Sequence, residues 1–259
     1  MRSLAARRYQ RSAPLVLVLT LLALITGAYA LFTSSPARAE GYSEAQVTGG
    51  QKLFAANCAT CHGLNAEGGS FAPSLVGVGA AAVDFQVGTG RMPMQASGPQ
   101  AQAKPPQFNQ DEIDQLAAYV ASLGAGPGIP TADQTDGTLG NAATGMQLFR
   151  TNCAMCHGSV GGGGALSQGK FAPSLFATTP THIYEAMLTG PQSMPVFNNA
   201  NISAEDKRDI IAYLEAQRGT SPGGLALGSL GPVSEGLWGW LLGLGLIIGI
   251  TVWVGAKSS

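Results

Sequence analysis

Two stretches of the chain carry no charged residue at all. Pro14 to Phe32 gives nineteen uncharged residues in a row, and Gly236 to Gly255 gives twenty. Each is long enough, as a helix, to cross the hydrocarbon core of a bilayer. Between them the pattern is broken and amphipathic. Ile113, Leu116, Ala117 and Val120 follow i, i+3, i+4, i+7 and predict a helix with one apolar stripe, and Ser203 opens a similar segment with Ile210, Ile211 and Leu214 on its buried side. Ser43 with Gln46, and Asn109 with Glu112, have capping-box spacing and mark helix starts. No stretch alternates with period two. The pattern therefore predicts an all-α chain without sheet.

The middle of the chain is written twice. GQKLFAANCATCHG at Gly50–Gly63 matches GMQLFRTNCAMCHG at Gly145–Gly158 in nine of fourteen positions at an offset of 95. The match continues in order through Phe71–Leu75 with Phe171–Leu175, Met92-Pro93 with Met194-Pro195, and Ala118-Tyr119 with Ala212-Tyr213. The drifting offset places the length differences in loops: Gly161 to Gly164 lengthen the second copy, and Pro99 to Pro106 lengthen the first. Two domains result, 40–124 and 141–218, joined by a Gly-, Thr- and Asp-rich linker over 125–140. A second linker, 219–235, leads to a membrane helix over 236–255, and residues 1–39 form a basic N-terminus around the apolar run 14–32.

Charge gives this plan a direction. Arg2, Arg7, Arg8 and Arg11 precede the first apolar run and Lys257 lies beyond the second, so both basic flanks are expected in the cytoplasm and everything between them outside it. From Glu40 to Glu235 there are fifteen acidic residues and eight Lys or Arg, a balance of −7. So acidic a portion has no basic face for nucleic acid, and no nucleic-acid partner is expected. It also lacks a lysine-rich docking face, which suits a fixed partner better than electrostatic steering. Ala37-Arg38-Ala39 has the form of a signal-cleavage site, so the first helix is either a removed signal or a retained span. Trp238, Trp240 and Trp253 stand near the ends of the second span, where indoles favour the membrane interface.

The four cysteines form two C-x-x-C-H motifs, Cys58-Ala59-Thr60-Cys61-His62 and Cys153-Ala154-Met155-Cys156-His157. This is the attachment signal of c-type haem: two thiols three residues apart reach the two vinyl groups, and the adjacent imidazole lies under the iron. A zinc ribbon would need the pairs far closer together, and a thioredoxin-like pair would need a βαβ pattern that is absent. A small domain of about 80 residues buries too little apolar surface to be stable on its own, so an apolar cofactor would complete each core. Met92 and Met194, each before a proline in a Gly-containing loop, are the candidate distal iron ligands, with Met94 a competitor that has no counterpart in the second copy. The carbonyls of Pro73 and Pro173 are candidate acceptors for the second ring nitrogen of His62 and His157. Tyr119 and Tyr213 are assigned to packing, and His182, the remaining histidine, to a solvated loop. An iron held by His and Met has no open position, which points to outer-sphere electron transfer rather than to a dihaem peroxidase.

With these motifs residues 43–124 and 141–218 resemble class I cytochrome c domains. Two such domains followed by one C-terminal span resemble the dihaem cytochrome cc subunits of actinobacterial menaquinol–cytochrome c reductases, the cytochrome bcc complexes. The resemblance implies two covalent haems and a cell-membrane location with the haem domains on the outer side. It also implies cytochrome b and Rieske iron–sulfur subunits as partners and onward electron transfer to a terminal cytochrome oxidase. It implies a subunit of a translocase with no substrate chemistry of its own. A cytochrome subunit of a periplasmic dehydrogenase or of another oxidase would keep the haems and change the partners.

Overall fold

The computed structural model describes residues 13–32, 41–96, 98–219 and 232–256. Residues 1–40 and 41–259 form separate compact units. The described residues of the first unit form an apolar helix, α1 (Ala13–Phe32). The cleavage motif at residues 37–39 and most of the second linker lie outside the described residues.

The first repeat consists of α2 (Glu44–Asn57), the one-turn α3 (Ala59–His62), α4 (Ala80–Gly88) and α5 (Gln110–Ser122). Its helix starts obey the capping signals. Ser43 and Gln46 exchange side-chain and backbone bonds at the head of α2, and Asn109 and Glu112 do the same at α5. Each box satisfies two N–H groups that the first helical turn leaves without partners. The stripe of α5 is buried as its period requires, with Ile113 and Leu116 each 2% exposed.

The second repeat keeps the same plan with α7 (Ala142–Asn152), α8 (Ala154–His157), α9 (Pro180–Thr189) and α10 (Ala204–Gly219). Ser203 and Asp206 bond reciprocally at the head of α10. In both repeats the first and last long helices cross. Phe54 meets Tyr119 with ring centroids 5.2 Å apart, and Phe149 meets Tyr213 at 5.5 Å. The backbones approach so closely that a Cβ on Gly50 would stand 1.8 Å from the Gln115 carbonyl oxygen, and one on Gly145 would stand 1.8 Å from that of Asp209.

Three features go beyond the sequence expectations, while the chain is mainly helical as expected. A two-residue hairpin pairs β1 (Gly164–Ala165) with β2 (Phe171–Ala172), antiparallel, where no sheet was expected. Strands this short show no alternation to detect. The expected linker carries a short helix, α6 (Ala132–Thr135), and a 3-10 turn at Gly137–Leu139. It is held at both ends, by Ala81 N–H donating to Pro127 O at 3.1 Å and by Asn141 N–H donating to Asp209 Oδ1 at 2.7 Å. The third is the loop insertion of the first copy, which docks on the second. The Gln100 side-chain amide donates to Phe171 O and accepts from Phe171 N–H, both at 2.9 Å, and Ala101 N–H donates to Gln192 Oε1 at 3.2 Å.

The last helix, α11 (Pro232–Ala256), contains a 21-residue stretch, Gly236–Ala256, with a mean hydropathy of 2.0. It is long and apolar enough to cross a membrane, and its large apolar side chains are uncovered.

The crossing makes a quantitative demand. Gly145→Val must push α7 away from α10 and should destabilise the second domain by about 1–3 kcal/mol or more. Thermal unfolding of the full chain should show a lower midpoint, and an unchanged midpoint would contradict the crossing.

Candidate functional site

Each C-x-x-C-H motif begins where a long helix stops. Cys58 is the C-cap of α2 and Cys153 that of α7, their N–H groups bonded to Phe54 O and Phe149 O. The chain then winds one further turn. Cys61 and His62 N–H return to Cys58 O at 3.1 and 3.0 Å, and Cys156 and His157 N–H return to Cys153 O at 3.1 and 2.9 Å. Both thiols and the imidazole of a motif are thus presented from a single turn.

None of the four cysteines is in a disulfide; Cys58 and Cys153 are half-buried, and Cys61 and Cys156 are exposed. Burial, and then the neighbouring thiol, push Cys58 and Cys153 up to about 11, so both are neutral thiols at physiological pH.

The two histidines are held in the same way. Nδ1 of His62 donates to Pro73 O at 2.8 Å, and Nδ1 of His157 donates to Pro173 O at 3.0 Å. A carbonyl only accepts, so Nδ1 carries the hydrogen and Nε2 of the neutral ring keeps its lone pair. Burial favours that neutral form at His157, lowering its pKa against the opposing effect of the Pro173 carbonyl. Matching backbone bonds shape both loops, Gly68 N–H to His62 O and Gly163 N–H to His157 O.

The two methionine loops are held by different bonds. Met92 N–H donates to Gln86 O at 2.9 Å, and the loop is fastened by Lys104, whose N–H reaches Thr89 O and whose Nζ donates to Pro93 O. Met194 N–H donates to Pro191 O at 3.0 Å. Met92 packs against the first core and Met194 against the second. Met94 is 40% exposed, as is its positional counterpart Val196 at 51%.

Tyr119 and Tyr213 are buried in the helix crossings. Tyr213 does more than pack: its hydroxyl donates to Ser159 O at 2.8 Å and so fastens α10 to the loop just after the second motif. His182 does not lie in a solvated loop. Thr179 caps α9 and Pro180 takes its first turn, so His182 is helical, with its side chain 19% exposed and facing Asp84 of the first repeat. The buried Glu185 and Lys207 had no sequence signal, because their burial depends on contacts between elements distant in the chain.

Comparison with known proteins agrees with this geometry. Residues 47–124 match the family model "Cytochrome c", and residues 140–214 match "Cytochrome C oxidase, cbb3-type, subunit III". The chain is 44% identical to the "Cytochrome bc1 complex cytochrome c subunit" of Mycobacterium tuberculosis (strain ATCC 25618 / H37Rv) over 254 residues, covering 94% of this chain and 90% of that protein. This chain belongs to that family. The protein of the same name from Corynebacterium efficiens is also 44% identical, over 240 residues, 86% of this chain and 80% of that one. The "Cbb3-type cytochrome c oxidase subunit FixPc" of Rhizobium leguminosarum bv. viciae is more distant, 33% identical over 124 residues, 44% of this chain and 40% of that one.

Two cytochrome c domains imply covalently bound haem c, and the residues present fit it. Four thiols free of disulfides are available to add to vinyl groups, and an imidazole fixed at Nδ1 offers Nε2 to a metal. Beside the motifs, Phe71 is 87% and Met155 94% exposed, apolar surface that a large apolar group would cover.

Removing the Tyr213 hydroxyl leaves the Ser159 carbonyl without its partner. Tyr213→Phe should lose about 1 kcal/mol of stability. Denaturant titration of the second domain's signal should show the loss, and an unchanged midpoint would mean that the bond contributes nothing.

Proposed function

We propose that this chain is the electron-relaying dihaem cytochrome c subunit of a respiratory quinol–cytochrome c reductase, with one haem in each repeat. The observation that carries this reading is the duplicated turn, with two thiols beside an imidazole whose Nδ1 is already committed to a proline carbonyl. Membership of the family of bc1 complex cytochrome c subunits supports the setting.

Each residue has a distinct task. The thiols of Cys58 and Cys61, and of Cys153 and Cys156, would hold a haem by adding across its vinyl groups, each sulfur bonding one vinyl carbon and its hydrogen going to the other. His62 and His157 would offer Nε2 to the iron, while Pro73 and Pro173 hold the ring orientation. Met92 and Met194 would offer thioether sulfurs, a soft donor that favours the reduced metal. Met92 is preferred to Met94 because it packs against its core as Met194 does, whereas Met94 points to an exposed position. Bound haem c supplies a one-electron couple between ferric and ferrous iron. An iron held by both a histidine and a methionine would have no open position for a substrate, so the chain would perform no substrate chemistry of its own and would serve the translocase as a conductor.

The setting is the outer face of the cell membrane. Helix α11 is the anchor, and the basic residues flanking the two apolar runs, Arg2 to Arg11 before the first and Lys257 after the second, favour an outward position for the domains. Electrons enter from a Rieske iron–sulfur subunit beside cytochrome b and leave to a terminal oxidase. The match of residues 140–214 to an oxidase subunit model favours one second reading, a cytochrome subunit built directly into an oxidase.

Affinity purification from gently solubilised membranes distinguishes the two. Cytochrome b and a Rieske protein should accompany the chain; oxidase subunits without them would favour the second reading and overturn the first. The ligands are tested independently. Met194→Leu should open the second iron to carbon monoxide and lower its potential, and an unchanged potential would overturn that assignment. Met92→Leu should do the same at the first iron, and Met94→Leu should not.

A further inference from the structure

Between the two domains lies a group of side chains that haem attachment does not use. Asp84 comes from α4 of the first repeat; His182 and Glu185 come from α9 of the second, three residues apart and hence on one helical face. One ligand atom from each lies within 4.8 Å of the other two. Asp84 is 6% exposed and Glu185 is fully buried.

The three groups converge while leaving lone pairs free. His182 Nε2 stands 3.7 Å from Asp84 Oδ2, beyond hydrogen-bond range. Gln110 Nε2 donates to the other oxygen, Asp84 Oδ1, at 3.2 Å, leaving Oδ2 for the cluster. Neither carboxylate oxygen of Glu185 has a hydrogen-bond partner. The imidazole is oriented by the edge of Phe85, with centroids 6.0 Å apart and planes at 88°. Gly88 leaves room for Nε2, since a Cβ there would stand 3.0 Å from it.

A buried carboxylate with both oxygens unsatisfied is strongly unfavourable unless something neutralises it. Burial, and then the neighbouring Asp84 through its charge and through a hydrogen bond that a protonated Glu185 shares with it, push the Glu185 carboxyl up to about 10, and an arriving cation would take the place of that proton. The surroundings do not complete the balance. Gln110 also donates to Asp114, and Arg91 lies over the Phe85 ring at 4.8 Å. The two carboxyl groups of the cluster, once ionised, carry two negative charges, the complement of one divalent cation.

We propose that Asp84, His182 and Glu185 form a binding site for a divalent transition-metal ion of the zinc class, shared between the two cytochrome domains. The donor set is one imidazole nitrogen and two carboxylate oxygens, which suits zinc with water in the fourth place and disfavours the all-oxygen preference of calcium or magnesium. Donors about 2.0–2.2 Å from a tetrahedral ion sit roughly 3.3–3.5 Å from one another. The observed spacing requires the side chains to close by about 1.5 Å at most. Because the ligands belong to both repeats, the ion pins α4 to α9. The site stands apart from the haem ligands, so its test does not depend on the proposed relay.

The test uses the full chain with haem attached, in detergent, purified through a tag free of histidine and stripped with a chelator. Equilibrium dialysis against Zn²⁺, with metal quantified by mass spectrometry, should give one saturable ion per chain. Zn K-edge absorption should show only nitrogen and oxygen neighbours. His182→Ala and Glu185→Gln should each weaken binding by more than the roughly 10–100-fold typical of losing an outer-shell partner. Zinc uptake by the wild type no greater than that of the triple variant Asp84→Asn, His182→Ala, Glu185→Gln would overturn the proposal. A sulfur neighbour in the absorption spectrum would also overturn it. If the haem spectrum of a variant shows misfolding, the stoichiometry and absorption edge of the wild type decide alone.

Discussion

Two helices in each domain touch at the level of their backbones, and that contact positions the chemistry of both repeats. Gly50 lies against the Gln115 carbonyl and Gly145 against that of Asp209, with the Phe54–Tyr119 and Phe149–Tyr213 rings filling the space beside each crossing. The C-x-x-C-H turn starts at the end of the first helix of the pair. A residue with any side chain at the glycine would lift that helix and move the thiols and imidazole with it. The crossing is therefore a positioning device as well as a core.

The second constraint is the fixed tautomer. A proline carbonyl at each histidine decides which ring nitrogen holds hydrogen, and it does so from a loop anchored by backbone bonds to the same turn. Proline has no N–H of its own to compete, and its ring restricts the backbone around the acceptor. The domains are small, and their cores rest on a few large side chains such as Phe54, Leu116, Phe149 and Leu214. Such a frame needs the surface of a large apolar group to be complete.

Residue order discloses whatever local chemistry specifies. The capping boxes at Ser43 and Asn109 form as their spacing indicates, and the apolar stripe of α5 is buried as its period demands. Features that depend on elements meeting across the chain stay hidden in it. His182 looks like an isolated polar residue in the sequence, but α9 turns it toward Asp84, about a hundred residues away. Lys207 is fully buried, its Nζ bonded to Ile202 O at 2.6 Å and to Asn199 Oδ1 at 2.9 Å. Nothing in its neighbours along the chain distinguishes it from a solvated lysine. The β1–β2 hairpin has too few residues for any period to appear.

The Gln100 contact has a consequence for symmetry. A face of the first copy grips a different face of the second, through a segment, Pro99 to Pro106, that the second copy lacks. Head-to-tail contacts between identical units repeat, closing into rings or running on as open filaments. Here the unequal loop ends the series after one step. The duplication has become a two-ended object whose first and last domains are structurally distinguishable.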